Sequence, residues 1–337
     1  MGHLRRSATA LATAALIAVP AISSAEAAAL KWDMASPYPA SNYHNQNHRM
    51  FIEEVKTATK GGIDITLHSG SSLYKLPQIR KAVQTGQIAI GEQLAATLEN
   101  QAPIFGIDSL PFLANDVDKA RLLTGLAAGA IKKELDKSDL VLLYAVAWPG
   151  QSLFTRKPIA SVDDLKGLKL RVQAPASARL AELLGSVPVR VDPADVPQAM
   201  TTGIVEAFMT SPSSGYDWKS WDYTTYYYEV SAWQPQNVVY MNKSVFKKLS
   251  PEYQAILTDA AAKAQVRGWY LMDEEVKVKR AKLCEKLKCE IPASGKLVEG
   301  FLKIGKQMTD EWVEKTGGDA KSVVDAFRAV QAATKAY

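Results

Sequence analysis

Apolar and polar positions alternate along the first part of the chain in a rhythm that switches between the strand and helix periods. Leu30 to Ala35 forms an extended run, ended by the proline-broken segment Ser36-Pro37-Tyr38-Pro39-Ala40. Ser41 then stands as an N-cap for a helix to about Thr59, with Phe51, Ile52, Val55 and Ala58 on one face. Gly61-Gly62 stops that helix, and Ile63 to Leu67 alternates as a second strand. After the loop His68 to Tyr74, a helix from about Pro77 to Thr85 ends at Gly86, and Ile88 to Ile90 starts a third strand. The βαβαβ order predicts an α/β sheet with helices on its faces, and ligands of such sheets lie at the carboxyl ends of the strands. The loops there offer Ser36, Tyr74 and Gln93 as candidate contacts.

The rhythm resumes further on. Val141 to Ala147 predicts a buried strand, which Trp148-Pro149-Gly150-Gln151 interrupts before Leu153-Phe154-Thr155 extends again. A Pro-Gly break between two extended pieces is where a chain can cross between lobes. In the stretch Ser161 to Ser213, Leu168, Leu170 and Val172 alternate with Lys169 and Arg171, so an inward apolar set sends Arg171 to the open face, together with Gln173. A helix over 176–184, a strand over 187–191, another helix and a strand over 207–209 follow. Asn237 to Met241 is a returning strand, and Ser250-Pro251-Glu252 opens a helix whose apolar positions recur to about Leu283. At 1.5 Å per residue it is about 45 Å long, enough to span two lobes. Cys289 to Ile291 is a short strand, and helices over 295–316 and 320–335 complete the chain.

Composition narrows the class. A chain of 337 residues, 47% hydrophobic, exceeds the usual single domain and carries enough apolar material for two cores. Residues 1–27 place Arg5 and Arg6 before an apolar run from Ala8 to Ile22 and end in Ala25-Glu26-Ala27, the pattern of a secretory signal peptide. The periplasm is the expected destination. No later segment reaches the roughly 18 to 20 apolar residues a spanning helix needs. The formal charge of +5 is small and its basic residues are scattered among acidic ones, which argues against a nucleic-acid partner. Export would permit a disulfide between Cys284 and Cys289, and two separate thiols is the alternative.

Catalytic chemistry finds little material. His44 and His48 stand at a helical spacing that can hold a metal, but HExxH is absent and their neighbours Asn45, Gln46 and Asn47 are neutral, so a polar helix face is the expectation, with no metal and no cofactor. There is no GxSxG elbow, phosphate-binding loop or dinucleotide fingerprint. The segment 216–233 holds three of the chain's 7 Trp and five of its 13 Tyr, which helix-to-sheet packing accounts for in the main.

An ordered set of short patterns carries a resemblance. Asp164-Leu165-Lys166-Gly167-Leu168-Lys169-Leu170-Arg171-Val172, Leu184-Gly185, Val187-Pro188-Val189, Gln198-Ala199-Met200 and Gly203-Ile204-Val205-Glu206, preceded by Ser72-Leu73-Tyr74, Gly86 and Leu110-Pro111-Phe112-Leu113, resemble the solute-binding proteins of tripartite ATP-independent periplasmic (TRAP) transporters. The resemblance implies a two-lobed Venus-flytrap fold with a long helix spanning both lobes. The expected division is lobe I over 28–148 plus 236–274 and lobe II over 149–235 plus 275–337. It also implies that Arg171 grips the carboxylate of a small organic acid, which a planar fork of donors suits better than a lysine, and that the protein delivers it, as a monomer without enzymatic activity, to TRAP membrane subunits.

Some members of that family carry an arginine where Gln151 stands here and an Asn-Pro where Thr210 and Ser211 stand. With Trp148 beside the crossing, this favours a monocarboxylate with an apolar or aromatic body over a C4-dicarboxylate or 2-oxo acid. A periplasmic enzyme acting on a carboxylate, and a binding protein serving a sensor or an ATP-driven importer, are the competing classes.

Overall fold

The computed structural model describes residues 29–334; the expected signal peptide lies outside them. The chain builds two sheets. Strands β1 (Leu30–Ala35), β2 (Ile63–His68), β3 (Ile90–Leu94) and β4 (Leu140–Ala147) belong to the first, with helices α1 (Tyr43–Ala58), α2 (Leu76–Gln84) and α3 (Val117–Lys137) between them. The second sheet takes β5 (Ser152–Thr155), β6 (Lys169–Val172), β7 (Val187–Arg190), β8 (Ala207–Thr210) and β9 (Tyr226–Tyr228), with α4 (Pro175–Leu183), α5 (Val196–Thr201) and α6 (Pro212–Asp217). The chain then returns as β10 (Gln236–Asn242), continues through α7 (Lys243–Lys247) and α8 (Pro251–Cys284), adds β11 (Lys288–Glu290) to the second sheet, and ends in α9 (Gly295–Thr316) and α10 (Gly318–Thr334).

The strand orders are β2-β1-β3-β10-β4 and β11-β9-β5-β8-β6-β7, so β10 is inserted antiparallel between β3 and β4. This is the two-lobed α/β architecture. Two of the segments that carry the chain between the lobes, one after β4 and one before β10, hold each other: Trp148 N–H donates to Pro235 O at 2.7 Å, Gln151 N–H to Trp233 O at 2.8 Å and Ala232 N–H to Gln151 O at 2.9 Å. A Cβ on Gly150 would lie 2.8 Å from that of Ser231, so only glycine lets the two crossings run this close.

Local signals explain most boundaries. Asn42, rather than Ser41, caps α1, its side chain accepting from His44 N–H at 3.0 Å. Ser250 caps α8 and Pro251 occupies its first turn. Helix α8 has 34 residues, about 50 Å at the standard rise. Leu257, Ala260, Ala264 and Met272 pack in the first lobe's core and Leu283 in the second's, so one rod touches both. Cys284 and Cys289 form a disulfide that ties its end to β11. Helix α3 has no counterpart among the expected elements: its buried stripe of Ala120, Leu123, Ala127, Ile131 and Leu135 is diluted by small residues and reads weakly.

The last helices differ from the expected division. Leu297, Phe301 and Met308 of α9 join the second lobe's core, but Trp312 and the α10 residues Ala320, Val324 and Phe327 pack into the first lobe's. The amphipathic pair crosses back because α3 offers α10 an apolar face to cover. No helix among the described residues is long and apolar enough to cross a membrane.

Candidate functional site

Strand β6 sets the centre of the site. Leu170 and Val172 enter the second lobe's core, and the strand's alternation sends Arg171 the other way. That face is not open to solvent: Arg171 is 4% exposed, in a gap between the lobes. Its Nε donates to Val191 O at 2.9 Å and its Nη1 to Gln173 Oε1, and its guanidinium carbon stands 5.7 Å from the centre of the Trp218 ring. Both acceptors are neutral, and among the described residues no carboxylate forms an ion pair with it. Burial pushes the guanidinium down to about 10, so it keeps its charge at neutral pH. Three of the five N–H donors of a guanidinium remain for another partner.

The gap encloses about 370 Å³ of space between atoms, open solvent included. Gln151, Thr210, Pro193, Ser214 and Trp218 line it beside Arg171 and Gln173, and Tyr38, Trp148, Leu76, Leu94 and Pro235 line it from the other side. Tyr38 and Trp148 meet edge to face with ring centres 4.8 Å apart. Across the boundary, Asn42 Nδ2 donates to Asp217 Oδ2 at 2.8 Å, and Ala176 N–H in the first turn of α4 donates to Glu99 Oε2 at 3.3 Å.

Behind the first-lobe wall lies a buried polar cluster around Glu92, which is 0% exposed. Its Oε2 accepts from Ser36 Oγ at 2.6 Å and its Oε1 from Asn237 Nδ2 at 2.7 Å, while His44 Nδ1 and His48 Nε2 stand 3.2 and 3.0 Å from the same two oxygens. Burial alone would raise this carboxyl, but His48 and His44 hold it well below the usual carboxylate range. The polar helix face expected for these histidines is thus a buried one, because α1 packs this side onto the sheet. No group of three His, Cys, Asp or Glu among the described residues could hold a metal ion.

Of the residues singled out in the sequence, Arg171, Gln173, Trp148, Gln151 and Thr210 come together in the gap. The other four lie elsewhere. Ser36 is beneath the wall, bonded to Glu92. Ser211 is the buried N-cap of α6, accepting from Ser214 N–H at 3.1 Å. Tyr74 packs at the edge of the first lobe's core, its hydroxyl donating to Gln87 Oε1 at 3.3 Å. Gln93 turns away, accepting from Tyr240 at 2.7 Å and donating to Thr97 at 2.7 Å, because neighbours on a strand point to opposite faces and Glu92 takes the face toward Asn237. Sequence reasoning missed Tyr38, Glu92 and Asn237, and met Trp218 within the aromatic segment 216–233, one or two of whose members could wall a pocket. Of the three missed, a signal existed for Tyr38, an aromatic between two prolines directly after the first strand.

Comparison with known proteins adds to this geometry. Residues 35–316 match the family model described as bacterial extracellular solute-binding protein, family 7. The structure is similar to that of an extracytoplasmic solute receptor of Bordetella pertussis binding pyroglutamic acid, 39% identical, with a TM-score of 0.87 over 89% of this chain and 100% of that one. It is also similar to a TRAP solute-binding protein from a marine metagenome specific for pyroglutamate, 36% identical, with a TM-score of 0.87 over 89% of this chain and 99% of that one. The C4-dicarboxylate-binding periplasmic protein of Rhodobacter capsulatus is 29% identical over 173 residues, 49% of this chain and 50% of that one.

Proposed function

Because the chain belongs to family 7 of the bacterial extracellular solute-binding proteins, we propose that it is a periplasmic receptor which closes two lobes over a small monocarboxylate, pyroglutamate being the favoured ligand. The observation that carries this reading is Arg171: a buried cation with spare donors, no acidic partner among the described residues and a place between the lobes. A buried charge without a counter-charge is costly, and a ligand carboxylate accepted by the remaining N–H groups offsets that cost. Contacts to both walls favour the closed state, since a ligand shifts a conformational equilibrium only by its differential affinity for the two forms. The receptor releases its cargo chemically unchanged to TRAP membrane subunits, and residues 1–27 direct its export.

The two receptors at 39% and 36% identity that bind pyroglutamate support this ligand. So does the presence of one guanidinium at the gap, with Gln151 and Thr210 beside it. A C4-dicarboxylate receptor is the second reading, favoured by the Rhodobacter capsulatus relative. Mass spectrometry of small molecules released from the purified, denatured protein, with a thermal-shift screen, tests both. Pyroglutamate released and stabilising is the expected result. Stabilisation by succinate and malate but by no monocarboxylate would overturn the assignment, and turnover of a bound ligand would return the protein to the enzymes.

A further inference from the structure

Asn237 sits where the buried cluster meets the cleft wall, and its two ends are fixed by chemistry rather than by choice. Its Nδ2 lies 2.7 Å from Glu92 Oε1, a carboxylate held ionised that can only accept. Its Oδ1 lies 2.8 Å from Trp148 Nε1, an indole N–H that can only donate. The amide therefore cannot be turned over without placing donor against donor and acceptor against acceptor. The Tyr38 hydroxyl, 3.2 Å from the same Oδ1, is consequently the donor of that hydrogen bond, and its oxygen retains lone pairs. Tyr38 lines the gap and feels the charge of Arg171. Gln151 is fixed in a similar way: its Nε2 donates to Pro149 O at 2.8 Å, so its free end is also an acceptor. The gap thus combines a fork of donors on one lobe with acceptors whose polarity is set from behind.

We infer that Glu92 and Asn237 are positioning residues that make Tyr38 a hydrogen-bond acceptor, and that the receptor selects carboxylic acids carrying an N–H donor besides the carboxylate. This rests on the reading of the gap as a carboxylate site and deepens it. A ligand whose corresponding atom is an ether-type oxygen meets lone pairs with lone pairs and leaves a desolvated acceptor unpaired, while a lactam N–H satisfies it.

Isothermal titration with two ring acids of the same shape tests the inference. Pyroglutamate has N–H in the ring; 5-oxotetrahydrofuran-2-carboxylate has oxygen there. Wild-type protein is expected to prefer the lactam by at least about tenfold, as sites built to bond a donor reject analogues lacking it. Tyr38→Phe is expected to bring the ratio of the two affinities to within about threefold, and Asn237→Leu to reduce it, since without the amide oxygen the hydroxyl can turn its own proton toward the ligand. A ratio, unlike an affinity, is insensitive to general loosening of the fold. Equal binding of both acids by wild-type protein overturns the inference and leaves the carboxylate receptor standing. A tenfold preference retained by Tyr38→Phe overturns the role of the hydroxyl. Binding of neither acid removes the pyroglutamate assignment, and the inference with it.

Discussion

Two buried charges lie on either side of the cleft, one behind its first-lobe wall and one in its second-lobe wall, and they are treated in opposite ways. Glu92 is 0% exposed and surrounded: Ser36, Asn237, His44 and His48 all reach its two oxygens. Arg171 is 4% exposed and under-supplied, with the Val191 carbonyl and the Gln173 amide as its acceptors. Burial of an ionised side chain is therefore not by itself the mark of a ligand site. A buried charge whose hydrogen-bonding capacity is exhausted by its own chain is structural. One with donors left over, placed at the boundary between two lobes, is shaped for something that arrives from outside.

Substitution should separate the two. Glu92→Ala leaves the imidazoles and the Asn237 amide facing an empty acceptor site, and its unfolding free energy in urea should drop by about 3–5 kcal/mol, the usual cost of breaking a buried charged cluster. A drop under about 1 kcal/mol would erase the contrast. Arg171→Met should act in the other direction on the ligand-free protein, leaving its stability unchanged or raised by about 1–4 kcal/mol, because an unpaired buried charge is replaced by an apolar chain of similar volume. The same variant should lose at least about 2 kcal/mol of affinity for pyroglutamate in titration calorimetry. Destabilisation of the ligand-free protein on the scale of Glu92→Ala would mean that the guanidinium supports the fold no less than the carboxylate does.

Acid sharpens the contrast from the Glu92 side. Its folded-state titration is depressed, so the stability it contributes is complete above the unfolded carboxyl value of about 4.3 and is lost as pH falls through the lower folded value. The stability difference between wild type and Glu92→Gln, measured by urea unfolding, should be constant from neutral pH to about 4.5 and shrink below it. A difference that persists to strongly acidic pH would contradict the ionised cluster. The smallest effect on binding belongs to Gln93. It bonds Tyr240 and Thr97 on the far face of β3, so Gln93→Ala should cost about 1 kcal/mol of stability and leave ligand affinity within about 0.5 kcal/mol.

The fold was legible where local chemistry and tertiary packing agree. Alternation marked β6, the Ser-Pro-Glu start marked α8, and the Pro-Gly break marked the crossing at 148–151. Helix α3, with alanines diluting its buried stripe, was not legible, nor was the return of α10 to the first lobe, since an amphipathic face does not say which core it covers. The candidate site was legible on the second lobe, where alternation put Arg171 and Lys169 on the face away from the core and the resemblance pointed to the arginine. On the first lobe it was not. A shift of one residue exchanges the faces of a strand, so expectation fell on Gln93 and missed Glu92. The pairing of Asn237 with Glu92 spans 145 positions of sequence, and no local pattern encodes it. His44 and His48 were visible as a pair, but their burial depended on a helix orientation that only the assembled lobe supplies.

The central claim is that Arg171 meets a carboxylate inside the closed cleft, and a thermodynamic cycle tests it most directly. Titration calorimetry of wild type and Arg171→Ala, each with pyroglutamate and with its primary carboxamide, isolates the pair. The carboxylate should be favoured strongly by wild type and far less by the variant, with a coupling of at least about 1.5 kcal/mol. Pyroglutamate bound by Arg171→Ala as tightly as by wild type would contradict it.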